Sequence, residues 1–311
     1  MVLGVQLLNS MDYSKFRIKE SSYNNLKGSQ WPTYTQFIRT KLEDLHKLVP
    51  NKLIEEEILN HNNLEKPKYF NSLFSDTMWY NKEFYPYLKI KFKNSGLIDE
   101  NYSHAWQDMM ILTLLDGKTN GTYLELGAGR PFYINNTFLL EYLFDWRGAS
   151  IDIVDYSKSW QARPNSNFIC ADVLNIDYPD FLQKKYVNKQ IDYLQIDIDS
   201  SPDETNELLS LVLSSGYRYS IITFETNSFL HKENPDRFLY IKKSRELLSN
   251  KGYQLLFSDI LHYMHSTPNS KEMGWSANED LWVDPTIIDQ DLLEYFLNMK
   301  ERNPFDILIE Q

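Results

Sequence analysis

The chain has 311 residues, with 32 Lys and Arg against 43 Asp and Glu, a formal charge of −11. Its 42% apolar content supports a full core and excludes disorder as the main state, while the acid excess argues against a general binder of phosphate backbones. A single cysteine, Cys170, excludes a disulfide framework and a cysteine-rich zinc centre.

The charge divides the chain. Residues 1–100 carry a balance of +2 and residues 101–311 one of −13. The first part, rich in Asn, Lys and Tyr, reads as a mainly helical extension. Phe37, Ile38, Leu42, Leu45 and Val49 recur at helical spacing until Pro50 stops the run, and a short helix is expected over 52–60. No run approaches the roughly 18 to 20 apolar residues of a membrane helix, and no basic residue precedes the apolar start, so a cytoplasmic protein without membrane insertion is expected.

From Thr122 onward, short apolar runs alternate with amphipathic helices, the pattern of a mostly parallel sheet with helices on both faces. Strands are predicted over 122–126, 149–154, 167–171, 191–198, 218–224 and 253–257, with helices over 136–144 and 237–250. Ser201-Pro202-Asp203-Glu204 predicts a further helix start, with Ser201 as cap, Pro202 in the first turn and Glu204 reaching back; Gly216 closes that helix. The segment 263–282, with Pro268, Gly274 and Trp275, reads as a lid or substrate loop.

Glu125-Leu126-Gly127-Ala128-Gly129 ends the first strand. Its glycines allow a tight turn and close approach of backbone to a ligand, and Phe132 replaces the third glycine of a dinucleotide fingerprint. The remaining acidic-x-G-x-G pattern resembles the S-adenosylmethionine loop of class I methyltransferases. Acids then end the following strands: Asp152, suited to accept ribose hydroxyls; Asp172, suited to meet an adenine amine; and Asp197 and Asp199 at the edge where open α/β sheets bind ligands.

Ser103-His-Ala-Trp-Gln-Asp108, Gly121-Thr-Tyr-Leu-Glu-Leu-Gly-Ala-Gly129, Trp146-Arg-Gly-Ala-Ser-Ile-Asp152, Tyr193-Leu-Gln-Ile-Asp-Ile-Asp199, Ile222-Thr-Phe-Glu225 and Glu279-Asp280 with Val283-Asp-Pro285 together resemble the FkbM-type methyltransferases, over about residues 103–285. The resemblance implies a Rossmann-like class I methyltransferase domain over 101–311. It implies methyl transfer from S-adenosylmethionine to a hydroxyl of a sugar, glycan or related metabolite. Glu125, Gly127, Gly129, Asp152 and Asp172 would line the cofactor. Where relatives continue Asn-Asp-Gly and Phe-Glu-His, this chain has Arg130-Pro131 and Thr226, so a histidine base is not carried over.

The chemistry then rests on Asp197, Asp199 and Glu225 at neighbouring strand ends. These three carboxylates suit Mg²⁺ held with waters, or one of them serves as a base with its pKa raised by the others. His231, His262 and His265 are second-line bases. His104 and Trp106 can cover the cofactor or pack the core, and Cys170 reads as a small buried residue. The expected partner is a small molecule or glycan, not nucleic acid, and a homo-oligomer is compatible with the reading. The rival reading is a non-catalytic nucleotide-binding interaction module derived from this fold.

Overall fold

The computed structural model describes residues 82–99, 101–131, 135–161, 163, 165–228, 236–264, 274–302 and 304–310. The helices expected over 37–49 and 52–60, together with His231 and His265, lie outside the described residues.

Seven strands form one sheet: β1 (Thr122–Leu126), β2 (Arg147–Asp152), β3 (Ser166–Cys170), β4 (Gln190–Ile196), β5 (Arg218–Glu225), β6 (Gln254–Met264) and β7 (Gly274–Val283). Their order is β3-β2-β1-β4-β5-β7-β6, with β7 antiparallel to both its neighbours and the other pairings parallel. Central β1 and β4 are buried on both faces, which is why they read as near-continuous apolar runs.

The register sorts side chains between two cores. Tyr123, Tyr193 and Ile221 face one side, packed with Trp106, Met109 and Leu112 of the segment around α1 (Gln107–Leu114). Leu88, Phe92 and Ile98 join that same core, and Leu88 pairs with Ile309, so residues 82–99 pack against the sheet domain. Leu124, Leu194 and Ile222 face the other side against Leu182, Leu208 and Leu248. These come from α4 (Tyr178–Lys185), α5 (Pro202–Leu213) and α6 (Asp236–Asn250), which follow α2 (Phe138–Phe144) and α3 (Ser157–Trp160) in the chain.

The predicted start of α5 forms as a complete capping box: Ser201 accepts from the Glu204 N–H, and the Glu204 carboxylate accepts from the Ser201 N–H. Three expectations are corrected. The second strand ends at Asp152, and Ile153 and Val154 leave the sheet, 72% and 49% exposed. Much of the expected lid segment is strand: β6 runs to Met264 and β7 starts at Gly274. Pro268 and Gly274 gave loop signals, but antiparallel pairing on β5 and β6 draws the flanking chain into the sheet. Cys170 is exposed at the end of β3, a strand with no fully buried residue.

Candidate functional site

The parallel strands all end along one edge, and there a cavity of about 450 Å³ opens. Gly127 and Gly129 from the loop after β1, Asp152 after β2, Asp172 after β3, and Asp197 and Asp199 after β4 line it.

Gly127 is required by its surroundings. Its φ is +81°, and a Cβ there would stand 1.5 Å from the Asp197 carbonyl oxygen, so the loop folds flat onto the end of β4. Gly129 also has positive φ, +57°, but a Cβ there would meet nothing within 4 Å. The loop's second glycine therefore leaves open space beside the cavity, which suits a ligand brought close to backbone.

Asp152 accepts from the N–H of Gly129 at 2.7 Å and from the N–H of Val154 at 2.7 Å. One carboxylate thus ties the glycine loop to the end of β2. Asp172 caps the next turn, accepting from the Leu174 N–H at 2.9 Å and the Asn175 amide at 2.8 Å. Both acids keep further lone pairs for hydroxyl or amine donors. Ile153 and Val154 also line the cavity, so their exposure supplies an apolar surface to it beside these acids.

Glu125 is not among the lining residues. Its carboxylate accepts from Ser150 Oγ at 2.7 Å, Thr137 Oγ1 at 2.9 Å and Asn135 Nδ2 at 3.2 Å, beneath the loop. Burial pushes its pKa up, opposed by the Arg163 cation and these donors. Trp106 is packed in the core with its ring 6.4 Å from that of Phe84.

Asp197, Asp199 and Glu225 do come together: one carboxylate oxygen from each lies within 4.8 Å of the others. Burial pushes the Asp197 carboxyl well above its ordinary range, and Glu225, hydrogen-bonded to it, and Asp199 add to the rise. Glu225 is raised as well, by burial and by Asp199 and Glu279, while its bonds to Asp197 and Asn227 oppose the shift. Two carboxyl groups can hydrogen-bond only when one of them carries a proton. The arrangement can therefore take up or release a proton, and its oxygen-only donor set also matches a hard divalent cation.

Glu279 and Gln107 escaped the sequence reading of the site. Glu279 stands opposite Glu225 across the β5–β7 ladder, and its carboxylate accepts from Gln107 Nε2 at 2.9 Å. Both lie in motifs that carry the family resemblance, Ser103–Asp108 and Glu279-Asp280, but neither motif says that its polar side chain reaches the carboxylate cluster.

No family model matches the chain, and no curated protein matches it. Solved structures do. An rRNA-methylase from Clostridium thermocellum, itself described as putative, is 14% identical with a TM-score of 0.39, over 60% of this chain and 97% of its own. The N-methyltransferase NodS from Bradyrhizobium japonicum, solved with S-adenosyl-L-homocysteine, is 10% identical with a TM-score of 0.37, over 58% and 86%. Fibrillarin from Aeropyrum pernix, solved with S-adenosyl-L-methionine, is 11% identical with a TM-score of 0.35, over 53% and 67%. Among the described residues no helix is long and apolar enough to cross a membrane. The mostly parallel seven-stranded sheet, with its reversed β7 and its helices on both faces, is a Rossmann-like α/β fold.

Proposed function

We propose that the chain is an S-adenosylmethionine-dependent methyltransferase of FkbM type that methylates a hydroxyl of a sugar, glycan or related metabolite. The observation that carries this reading is the cavity itself: a two-glycine loop faces a row of strand-end acids, with the exposed Ile153 and Val154 beside Asp152 and Asp172. That set of acceptors fits the cofactor. Asp152 would accept from ribose hydroxyls, Asp172 from the adenine amine, and the apolar pair would pack against the base. The acid-rich lining favours a ligand carrying positive charge.

S-adenosylmethionine supplies an electrophilic methyl on a sulfonium. The chain's own residues must hold the acceptor oxygen in line with it and remove the hydroxyl proton. In this reading Asp197 and Glu225 do this; their carboxylates, with that of Asp199, lie within 4.8 Å of one another, which supports it. One of the hydrogen-bonded pair takes the proton, and the bond spreads the charge between them. Glu125 acts from below, by fixing the residues that follow the loop.

A second reading rests on the same cluster: Asp197, Asp199 and Glu225 would hold Mg²⁺, which would acidify the acceptor hydroxyl so that its proton passes to water. The test of the main reading is calorimetry with S-adenosylhomocysteine, followed by mass spectrometry of glycans and metabolites for a gain of about 14 mass units, H replaced by CH₃. Absence of binding at high micromolar concentration rejects the enzyme and favours a non-catalytic module.

A further inference from the structure

The carbonyls of the glycine loop are held from outside the cavity, and two of the three residues holding them, Trp160 and Arg163, have no part in the scheme above. Asn135 Nδ2 donates to the Ala128 carbonyl at 3.3 Å, Trp160 Nε1 to the Gly129 carbonyl at 3.0 Å, and Arg163 Nη1 to the Pro131 carbonyl at 3.0 Å. The Gly129 N–H is taken by Asp152, so both polar groups of Gly129 are fixed, one by the last residue of β2 and one by Trp160 of α3.

Arg163 is 2% exposed, and its neighbours account for its burial. Its guanidinium lies 4.4 Å from the Trp160 ring centroid and donates to Glu141 at 2.9 Å, Asn135 Oδ1 at 2.9 Å, the Tyr123 hydroxyl at 3.2 Å and Thr137 Oγ1 at 3.0 Å. A buried cation satisfied by so many acceptors defines one geometry, because moving any of them strands a charge. Trp160 is in turn stacked on Phe168 of β3, centroids 5.1 Å apart and planes 15° from parallel.

The geometry points to Trp160 and Arg163 as positioning residues of the cofactor loop, an inference that rests on the cofactor reading above. They order residues 128–131 as part of folding, so the ligand meets a loop already shaped and does not bear the cost of ordering it. Trp160 touches the loop only through Gly129 in this scheme, and Arg163 acts through Trp160, Asn135 and Pro131. Neither lines the cavity.

The test uses the full chain with Trp160→Phe, and a second form carrying the benzothiophene analogue of tryptophan at position 160, which keeps the ring shape and lacks the N–H. Amide hydrogen exchange of the ligand-free protein reads the loop directly. The Gly129 and Arg130 amides should exchange about tenfold faster while those of β1 are unchanged, the mark of local and not global opening. Calorimetry should show S-adenosylhomocysteine bound about two- to tenfold more weakly, the range for one neutral hydrogen bond. Loop exchange equal to wild type in the analogue-bearing protein overturns the inference, as does exchange that rises equally in β1. Failure of the wild type to bind S-adenosylhomocysteine rejects the cofactor reading instead, and loop exchange still decides whether Trp160 holds the loop.

Discussion

The carboxyl of Asp197, the first residue past β4, is hydrogen-bonded to the carboxyl of Glu225, the last residue of β5. Adjacent parallel strands put the two there: Gln195 pairs with Thr223, and the next residues of the same face, two further along each strand, are these acids. The pair binds a proton more tightly in the folded chain than either acid does in the unfolded one, because burial and the nearby Asp199 and Glu279 disfavour a second negative charge.

That relationship fixes the sign of a stability effect. With folded pKa values raised above the unfolded ones, the pair's contribution is fully present below the unfolded carboxylate pKa and is lost as pH rises through the folded values. Glu225→Gln removes one titrating member. The variant should therefore gain on the wild type as pH increases, with a Tm advantage of about 2–4 °C for each kcal/mol of repulsion removed. Thermal melts at pH 4 to 9 check this, and a difference independent of pH would show that the pair does not share a proton. Activity should move the opposite way: the wild-type rate should rise with pH through one apparent pKa above the ordinary carboxylate range, belonging to the coupled group.

Asp152→Ala should weaken S-adenosylhomocysteine binding by about 1.5–3 kcal/mol, the range for hydrogen bonds to a charged group. Part of that loss comes through the loop, since the same carboxylate accepts from Gly129 and Val154. Asp152→Asn keeps one acceptor oxygen and should lie between the two in calorimetry. Equal affinity in all three proteins would mean that the ligand is not held at the β2 end.

The two glycines of the loop should respond differently to alanine. At Gly127 the new methyl would stand 1.5 Å from the Asp197 carbonyl oxygen, so the loop or β4 must move, and the loss should exceed about 3 kcal/mol. At Gly129 there is room, and only the left-handed backbone opposes the change, at about 1–2 kcal/mol. Urea denaturation of the two variants measures the difference, and similar losses would contradict the close approach at Gly127.

The strand-end acids and the α5 capping box were legible because each is local: a strand pattern followed by Gly, Asp or Ser-Pro-Asp-Glu needs only neighbours in sequence. β7 was hidden because Glu279 and Asp280, adjacent in sequence, are both buried, which breaks polar–apolar alternation. Their partners are distant: Gln107 for Glu279, and Arg245, bonded at 2.7 and 2.8 Å, for Asp280. The same reason concealed Arg163, whose acceptors lie 22 to 40 residues away. Ile153 and Val154 misled in the other direction: two β-branched residues read as strand, whereas the sheet stops at Asp152 and they face the cavity.

Proton and cation compete for the same oxygens in the Asp197–Asp199–Glu225 cluster, which makes the Mg²⁺ reading testable without knowing the acceptor. A cation entering there competes with a proton, because burial and mutual repulsion raise the pKa of both Asp197 and Glu225 and carboxylates coordinate only when ionised. Release of one proton per ion makes the apparent affinity rise about tenfold per pH unit until the pair is ionised, then level off. Calorimetry with MgCl₂ at pH 6, 7 and 8 should show this slope, and the apparent heat should change between buffers of different ionisation enthalpy. Asp199→Asn should weaken Mg²⁺ binding while leaving the Asp197–Glu225 bond in place. If the wild type takes up no Mg²⁺ at pH 8, the cation reading falls and the carboxyl pair stands as the base. In that case EDTA should leave turnover unchanged, and Glu225→Gln should lower kcat by about 10²–10⁴, the usual contribution of a positioned proton acceptor.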